Sequence, residues 1–179
     1  MTYTEEQWVR AFRAIYGASR CVNHWELSQK IALRWYLTPY RISKFGPDGS
    51  PLCWRQCGAV GNLVHMFWSC RNLTSFWNSV FSCVSGMTGI LIRPNPGLAV
   101  LHIGIDLFPP EFRVVITHVL LAARTLIAQH WKADRAPNVS EVLRLTQVNY
   151  VHESLLAYRR GVRDRFDSVW KIWTDWYKV

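Results

Sequence analysis

Cys53, Cys57, His65 and Cys70 fall in the pattern Cys-x3-Cys-x7-His-x4-Cys. Three thiolates and one imidazole complete the tetrahedral shell of structural zinc, with no position left for water or substrate. A segment organised in this way needs little apolar core of its own, because metal binding supplies about 10–16 kcal/mol in zinc peptides. Cys53-x3-Cys57 suits a tight turn that brings two sulfurs to one ion, and His65-x4-Cys70 adds a second donor pair at the start of a helix. Gly58, Gly61 and Asn62, between the pairs, tolerate the positive φ that a cramped loop demands. An imidazole among thiolates suits Zn2+ better than iron. The competing reading is three buried cysteines and a surface histidine.

The remaining cysteines, Cys21 and Cys83, lie outside this spacing and read as small buried hydrophobes. An odd cysteine count and a polar, acidic start (Thr2, Thr4, Glu5, Glu6) argue against secretion and a disulfide framework. The expectation is an intracellular protein of the cytoplasm or nucleus. The longest apolar run, 114–128, is interrupted by Thr117, His118, Arg124 and Thr125, so no membrane partner is expected.

Helical spacing dominates elsewhere, and the expected fold class is mainly α with little or no sheet. Thr4 and Gln7 make a capping box before Trp8, Phe12, Ile15 and Tyr16, with Gly17 as the stop. Asn23 and Glu26 open a second core-facing helix through Trp25, Ile31 and Trp35, which should end near Tyr36 because Pro39 disfavours helix at Thr38. Residues 39–52 read as turns. A third helix carries Leu73, Phe76, Trp77, Val80, Phe81 and Val84 to Gly86. Residues 98–105 fit a short strand or an irregular buried run. Pro109-Pro110-Glu111 opens a helix to about Lys132, apolar nearly all round and so central to the core. Ser140-Glu141 opens another, with Val142, Leu145, Val148, His152, Leu155 and Leu156 on one arc. The last carries Phe166, Val169, Trp170 and Trp173, joined by Trp176 or Tyr177. This divides the chain into an N-terminal helical segment (1–50), a zinc knuckle (51–72) and a C-terminal helical segment (73–179), expected to form one unit.

Twenty-one Lys and Arg against 12 Asp and Glu give +9, which favours polyanionic partners. Residues 51–90 hold two basic side chains and no acid, and Arg159, Arg160, Arg163 and Arg165 form the densest cluster. Aromatics stack on unpaired bases and arginines meet phosphates, so Trp54, Arg55, Trp68, Arg71, Arg159, Arg160 and Arg163 are the candidate RNA contacts. Alternatively, Trp54, Phe67 and Trp68 pack the knuckle onto the helical body. No His-Glu-x-x-His, Gly-x-Ser-x-Gly or phosphate-loop pattern is present, and His118 and His152 read as core or interface histidines, so no enzyme activity is expected.

Arg34-Trp35-Tyr36-Leu37-Thr38-Pro39, Cys53-Trp54-Arg55-Gln56-Cys57-Gly58, Gly61-Asn62-Leu63-Val64-His65 and Trp68-Ser69-Cys70 resemble the C-terminal zinc-binding region of non-LTR retrotransposon reverse transcriptases. The resemblance extends more softly through Phe76-Trp77 and residues 126–132, and so covers nearly the whole chain. It implies zinc on Cys53, Cys57, His65 and Cys70, and help in binding the element's RNA during target-primed reverse transcription. The polymerase's Tyr- or Phe-x-Asp-Asp loop is absent, as is an endonuclease domain, so the chain reads as a tail without its catalytic parts. The middle spacing is longer than in the retroviral Cys-x2-Cys-x4-His-x4-Cys knuckle, so base-recognition rules do not transfer. Two other readings stay open: a structural module that docks the polymerase domain, and a non-functional retrotransposon fragment.

Overall fold

The computed structural model describes residues 2–47 and 49–177. The fold is mainly α with a small Cys/His module, and the one extended pairing among the described residues is an antiparallel bridge between Leu52 and Val60.

Helix α1 (Glu5–Ala18) opens on the expected capping box: Gln7 N–H donates to Thr4 Oγ1 at 3.3 Å and Thr4 N–H to Gln7 Oε1 at 2.9 Å. Its Ala11 and Ile15 are buried, while Trp8, Phe12 and Tyr16 stack along its flank. Helix α2 (Val22–Ala32) is shorter than its pattern suggested and starts after exposed Cys21, which supplies no side-chain cap. Arg34 takes a left-handed conformation (φ 53°), ends the helical path and turns Trp35 out to 69% exposure instead of into the core. The turn-like stretch that follows contains one short helix, α3 (Pro39–Ile42), with Thr38 Oγ1 accepting from Arg41 N–H at 3.2 Å.

Helix α4 (Thr74–Thr88) runs past Gly86 and stops at Gly89, which sits in the left-handed conformation that C-caps favour. Residues 98–105 are neither strand nor irregular throughout. Asn95 caps a short helix α5 (Pro96–Leu101), and a 3-10 turn follows at Ile105–Leu107.

Helix α6 (Pro110–Gln129) is the centre, flanked by α1, α2, α4, α5, α7 (Val139–Arg159) and α8 (Arg163–Trp176). From Val115 to Arg124 every residue is buried, so no face of that stretch reaches water. The cap of α7 is Asn138 rather than Ser140, with Glu141 returning a 2.9 Å bond to its N–H. Its buried stripe is also rotated from the expected arc. Val142, Thr146, Asn149 and Ala157 face inward, whereas Val148, His152 and Leu155 are exposed. In α8, Phe166, Trp170 and Trp173 are buried and Tyr177 stacks on Trp173 at 4.6 Å. No helix among the described residues is long and apolar enough to cross a membrane.

A band of polar groups is sealed inside this core. His118 donates from Nε2 to Ala18 O at 2.9 Å and packs on Trp170, with His24 close by at 6.0 Å between ring centres. His24 Nδ1 meets Ser19 Oγ at 2.8 Å, and His102 Nε2 donates to Thr117 O at 3.3 Å. Arg124 reaches from α6 to Val100 O at 2.6 Å and Ser28 Oγ at 3.3 Å, and burial brings its pKa down to about 9. Burial lowers His24, helped by the charges of His118 and Arg124, to about 4, and burial takes His118 to about 4 against the opposing bond to Ala18 O. Both imidazoles stay neutral in the fold where an unfolded chain would already protonate, near pH 6.5. The unfolded state therefore takes up protons first as pH falls. The stability from each group is complete above about pH 6.5 and is lost by about pH 4. Protonating either imidazole within the fold costs about 3 kcal/mol on this scale, and the two costs are not independent because His118 itself helps to lower His24. Urea unfolding should show a flat midpoint above neutrality and a steep decline through that window.

Candidate metal centre

Residues 51–61 fold back on themselves. Cys53 N–H donates to Ala59 O at 2.9 Å and Gly61 N–H to Pro51 O at 2.8 Å, framing the Leu52–Val60 bridge. Between them, Gln56 N–H closes onto Cys53 O at 3.0 Å, and Gln56 and Gly58 take left-handed backbone at φ 52° and 81°. The Arg55 amide acts on the Cys53 thiol and the Ala59 amide on the Cys57 thiol, each favouring the thiolate. The second donor pair comes from a helical turn begun by Asn62, whose Oδ1 accepts from His65 N–H at 2.9 Å. Residues His65–Ser69 then close as a π-turn, with Cys70 N–H donating to His65 O at 3.1 Å. This i→i+5 closure puts residues five apart on one side, which an ordinary α-helical turn would not do.

All four donors are buried and their ligand atoms lie within 4.8 Å of one another. Cys53 Sγ and Cys70 Sγ are 3.9 Å apart, and Cys57 Sγ is 3.2 Å from His65 Nε2. A tetrahedral ion with metal–sulfur bonds of about 2.3 Å holds its sulfurs about 3.8 Å apart. The group fits the geometry required to hold a metal ion. Burial pushes the Cys53 thiol up to about 11, with its amide bond opposing. At Cys57 burial also acts upward, but the Ala59 amide, the neighbouring thiols and the Arg71 charge together bring the thiol below its ordinary value. Burial and the Arg55 charge hold His65 below the usual imidazole range, in the neutral form a ligand needs.

An aromatic seam joins this unit to the helical body. Trp131, just beyond α6, lies 4.9 Å from Tyr36, 5.1 Å from Phe67 and 6.1 Å from Trp54 between ring centres, and donates from Nε1 to Leu37 O at 3.0 Å. Trp68 packs on Trp77 and Phe81, and Lys132 sits over the Trp54 ring at 5.8 Å. Arg55, expected at a phosphate, is instead 1% exposed. Its Nη1 donates to Met66 O at 3.1 Å, and its carbonyl accepts from Asn72 Nδ2 at 2.7 Å. A guanidinium walled in by the knuckle it supports cannot reach a strand outside. Arg71 is exposed, as are Arg159, Arg160 and Arg163 at the α7–α8 corner, where Arg163 lies 3.6 Å from Asp167.

Asn62, Asn72 and Trp131 support the centre without having been singled out by the ligand spacing. Asn62 carries a local signal, an N-cap residue three positions before His65. Trp131 carries none, because it meets the knuckle only through the tertiary fold. No family model matches the chain.

Of the three residues expected to use positive φ, Gly58 does so, whereas Gly61 and Asn62 do not. Gly61 serves a different need. A Cβ there would lie 2.7 Å from Pro39 Cγ, and its carbonyl accepts from Tyr40 N–H at 3.2 Å, so the knuckle seats flush on α3. Gly61→Ala should therefore lower stability by about 1–3 kcal/mol, as overpacking does. The check is a lower urea midpoint with unchanged m-value.

Proposed function

We propose that this chain is a non-catalytic, zinc-stabilised module that helps to hold RNA, in the manner of the retrotransposon reverse-transcriptase tails its knuckle resembles. One observation carries the reading: a closed, buried set of three cysteines and one histidine lies in a stretch nearly free of acid. From Leu27 to Ile105 the sole carboxylate residue is Asp48, against Lys30, Arg34, Arg41, Lys44, Arg55, Arg71 and Arg93. Zinc matches the donor set, because soft thiolates with one imidazole in tetrahedral array favour it. An ion held by four protein donors has no open position for water, so its work is structural, and the basic surface supplies attraction to phosphate.

A protein-docking role is the second reading, favoured by the exposed Val148, Val151, Leu155 and Tyr158, which recur along α7. Under it, the isolated chain self-associates, adding the polymerase domain relieves this, and RNA affinity is absent.

Metal analysis of purified protein should give about one zinc per chain, falling well below this in Cys70→Ser and His65→Ala. Gel-shift titration with single-stranded RNA should show affinity falling with salt, by a log–log slope of about 0.7 per phosphate contacted. Absence of binding, or binding indifferent to salt, sinks the RNA role.

A further inference from the structure

Beside the knuckle the surface opens into an unfilled cleft of about 880 Å³. One wall is the chain that leaves α2, carrying Arg34, Trp35, Tyr40 and Arg41, and the other is Leu63 and Val64, just before the ligand His65. Arg34, Leu63 and Val64 also border a second cleft, of about 480 Å³, with Trp8 and Trp68 in its lining. The two lie side by side with Arg34 on the ridge between them.

Their chemistry is one-sided. Among the described residues no carboxylate lines either cleft, and Arg34 makes no ion pair. Arg41 uses Nη1 to hold the carbonyls of Arg34, Trp35 and Tyr36 at 2.7, 3.4 and 3.4 Å, which sets the shape of the wall. Lys44 does not line either cleft but stands over the ring of Tyr40, which does, at 5.1 Å, and so lies at the edge of the first. Trp35 is left 69% exposed at the mouth, although Trp77, Trp170 and Trp173 are buried. An apolar peptide would satisfy the aromatic surfaces but offer no negative charge to Arg34, Arg41 and Lys44, none of which forms an ion pair among the described residues. A polyanion that also carries flat, unpaired rings satisfies both.

We propose that these paired clefts are the track for single-stranded RNA, with a base stacked on Trp35 and phosphates at Arg34, Arg41 and Lys44. The proposal rests on the RNA reading above and relocates its contact surface from the α7–α8 arginines to the flank of the knuckle. Because Leu63 and Val64 lead directly into the donor set, the metal site would fix one wall of the track.

The test is fluorescence anisotropy with a labelled oligouridylate of about 12 nucleotides. Trp35→Ala and Arg34→Gln should each weaken binding about tenfold or more. Lys44→Gln should reduce the salt slope by about 0.7. The triple change Arg159→Gln, Arg160→Gln and Arg163→Gln should leave affinity within about twofold, since none of the three lines the track. Zinc content and thermal unfolding of the Trp35 and Arg34 variants should match the parent, as both side chains are exposed. Crosslinking of 4-thiouridine RNA, mapped by mass spectrometry, gives a readout that needs no variant and should mark residues 33–45 or 62–68. If the parent binds RNA but only the α7–α8 arginines matter, or crosslinks map there, the track is wrong while the RNA role stands. If the parent binds none, both fall. Sedimentation showing a dimer that Trp35→Ala dissolves, with RNA affinity unchanged, would assign the clefts to a second copy instead.

Discussion

Burial of α6 on every side is the constraint that orders the other helices. A helix with one apolar stripe needs one neighbour, but the run from Val115 to Arg124 has no outward face, so α1, α2, α4, α5, α7 and α8 all gather round it. Full burial of a Leu, Ile or Val side chain is worth about 1.5–3 kcal/mol. Leu120, Leu121, Ile116 and Val119, each at 0% exposure, are therefore a large share of what holds the domain together. The same enclosure traps Arg124 and His118, whose hydrogen bonds run to carbonyls of other segments. Such polar ties fix how the helices align, because a shifted neighbour would leave a buried donor without an acceptor.

The knuckle depends on that scaffold at one further remove. Trp131 follows α6 and carries its rigidity outward, so that Tyr36, Trp54 and Phe67 meet on it. Buried Arg55 then stitches the two halves of the donor loop, with its side chain on Met66 O and its backbone carbonyl held by Asn72. Two of its guanidinium nitrogens, Nε and Nη2, find no partner among the described residues. A buried cation is costly on its own, and within the donor set its charge acts on His65, helping to keep that imidazole neutral.

Much of this was legible in the residues themselves. The capping box at Thr4, the proline start of α6 and the ligand spacing all depend on neighbours within a turn or two, which sequence displays directly. What was hidden depended on tertiary context. Arg34 adopts a left-handed conformation that no local propensity announces, and so α2 ended early and Trp35 faced outward. Val148 and Leu155 share an apolar periodicity with Val142, yet the neighbours of α7 approach from the side of Thr146 and Asn149. Arg55 beside a tryptophan looks like a surface contact until the fold closes over it. Periodicity reports that a face is apolar, not which neighbour covers it.

The connection between Cys57 and His65 looks in sequence like spare tether. In space each link is occupied. Gly58 turns, Ala59 bonds to Cys53, Val60 bridges to Leu52, Gly61 lies flat on Pro39, Asn62 caps the ligand turn, and Leu63 and Val64 line the clefts. Such a segment has no slack in which to gain or lose a residue. Its length is therefore held as tightly as its composition at Gly58, Gly61 and Asn62, and the seven-residue interval works as a spacer of fixed gauge that sets how the knuckle sits on its helices.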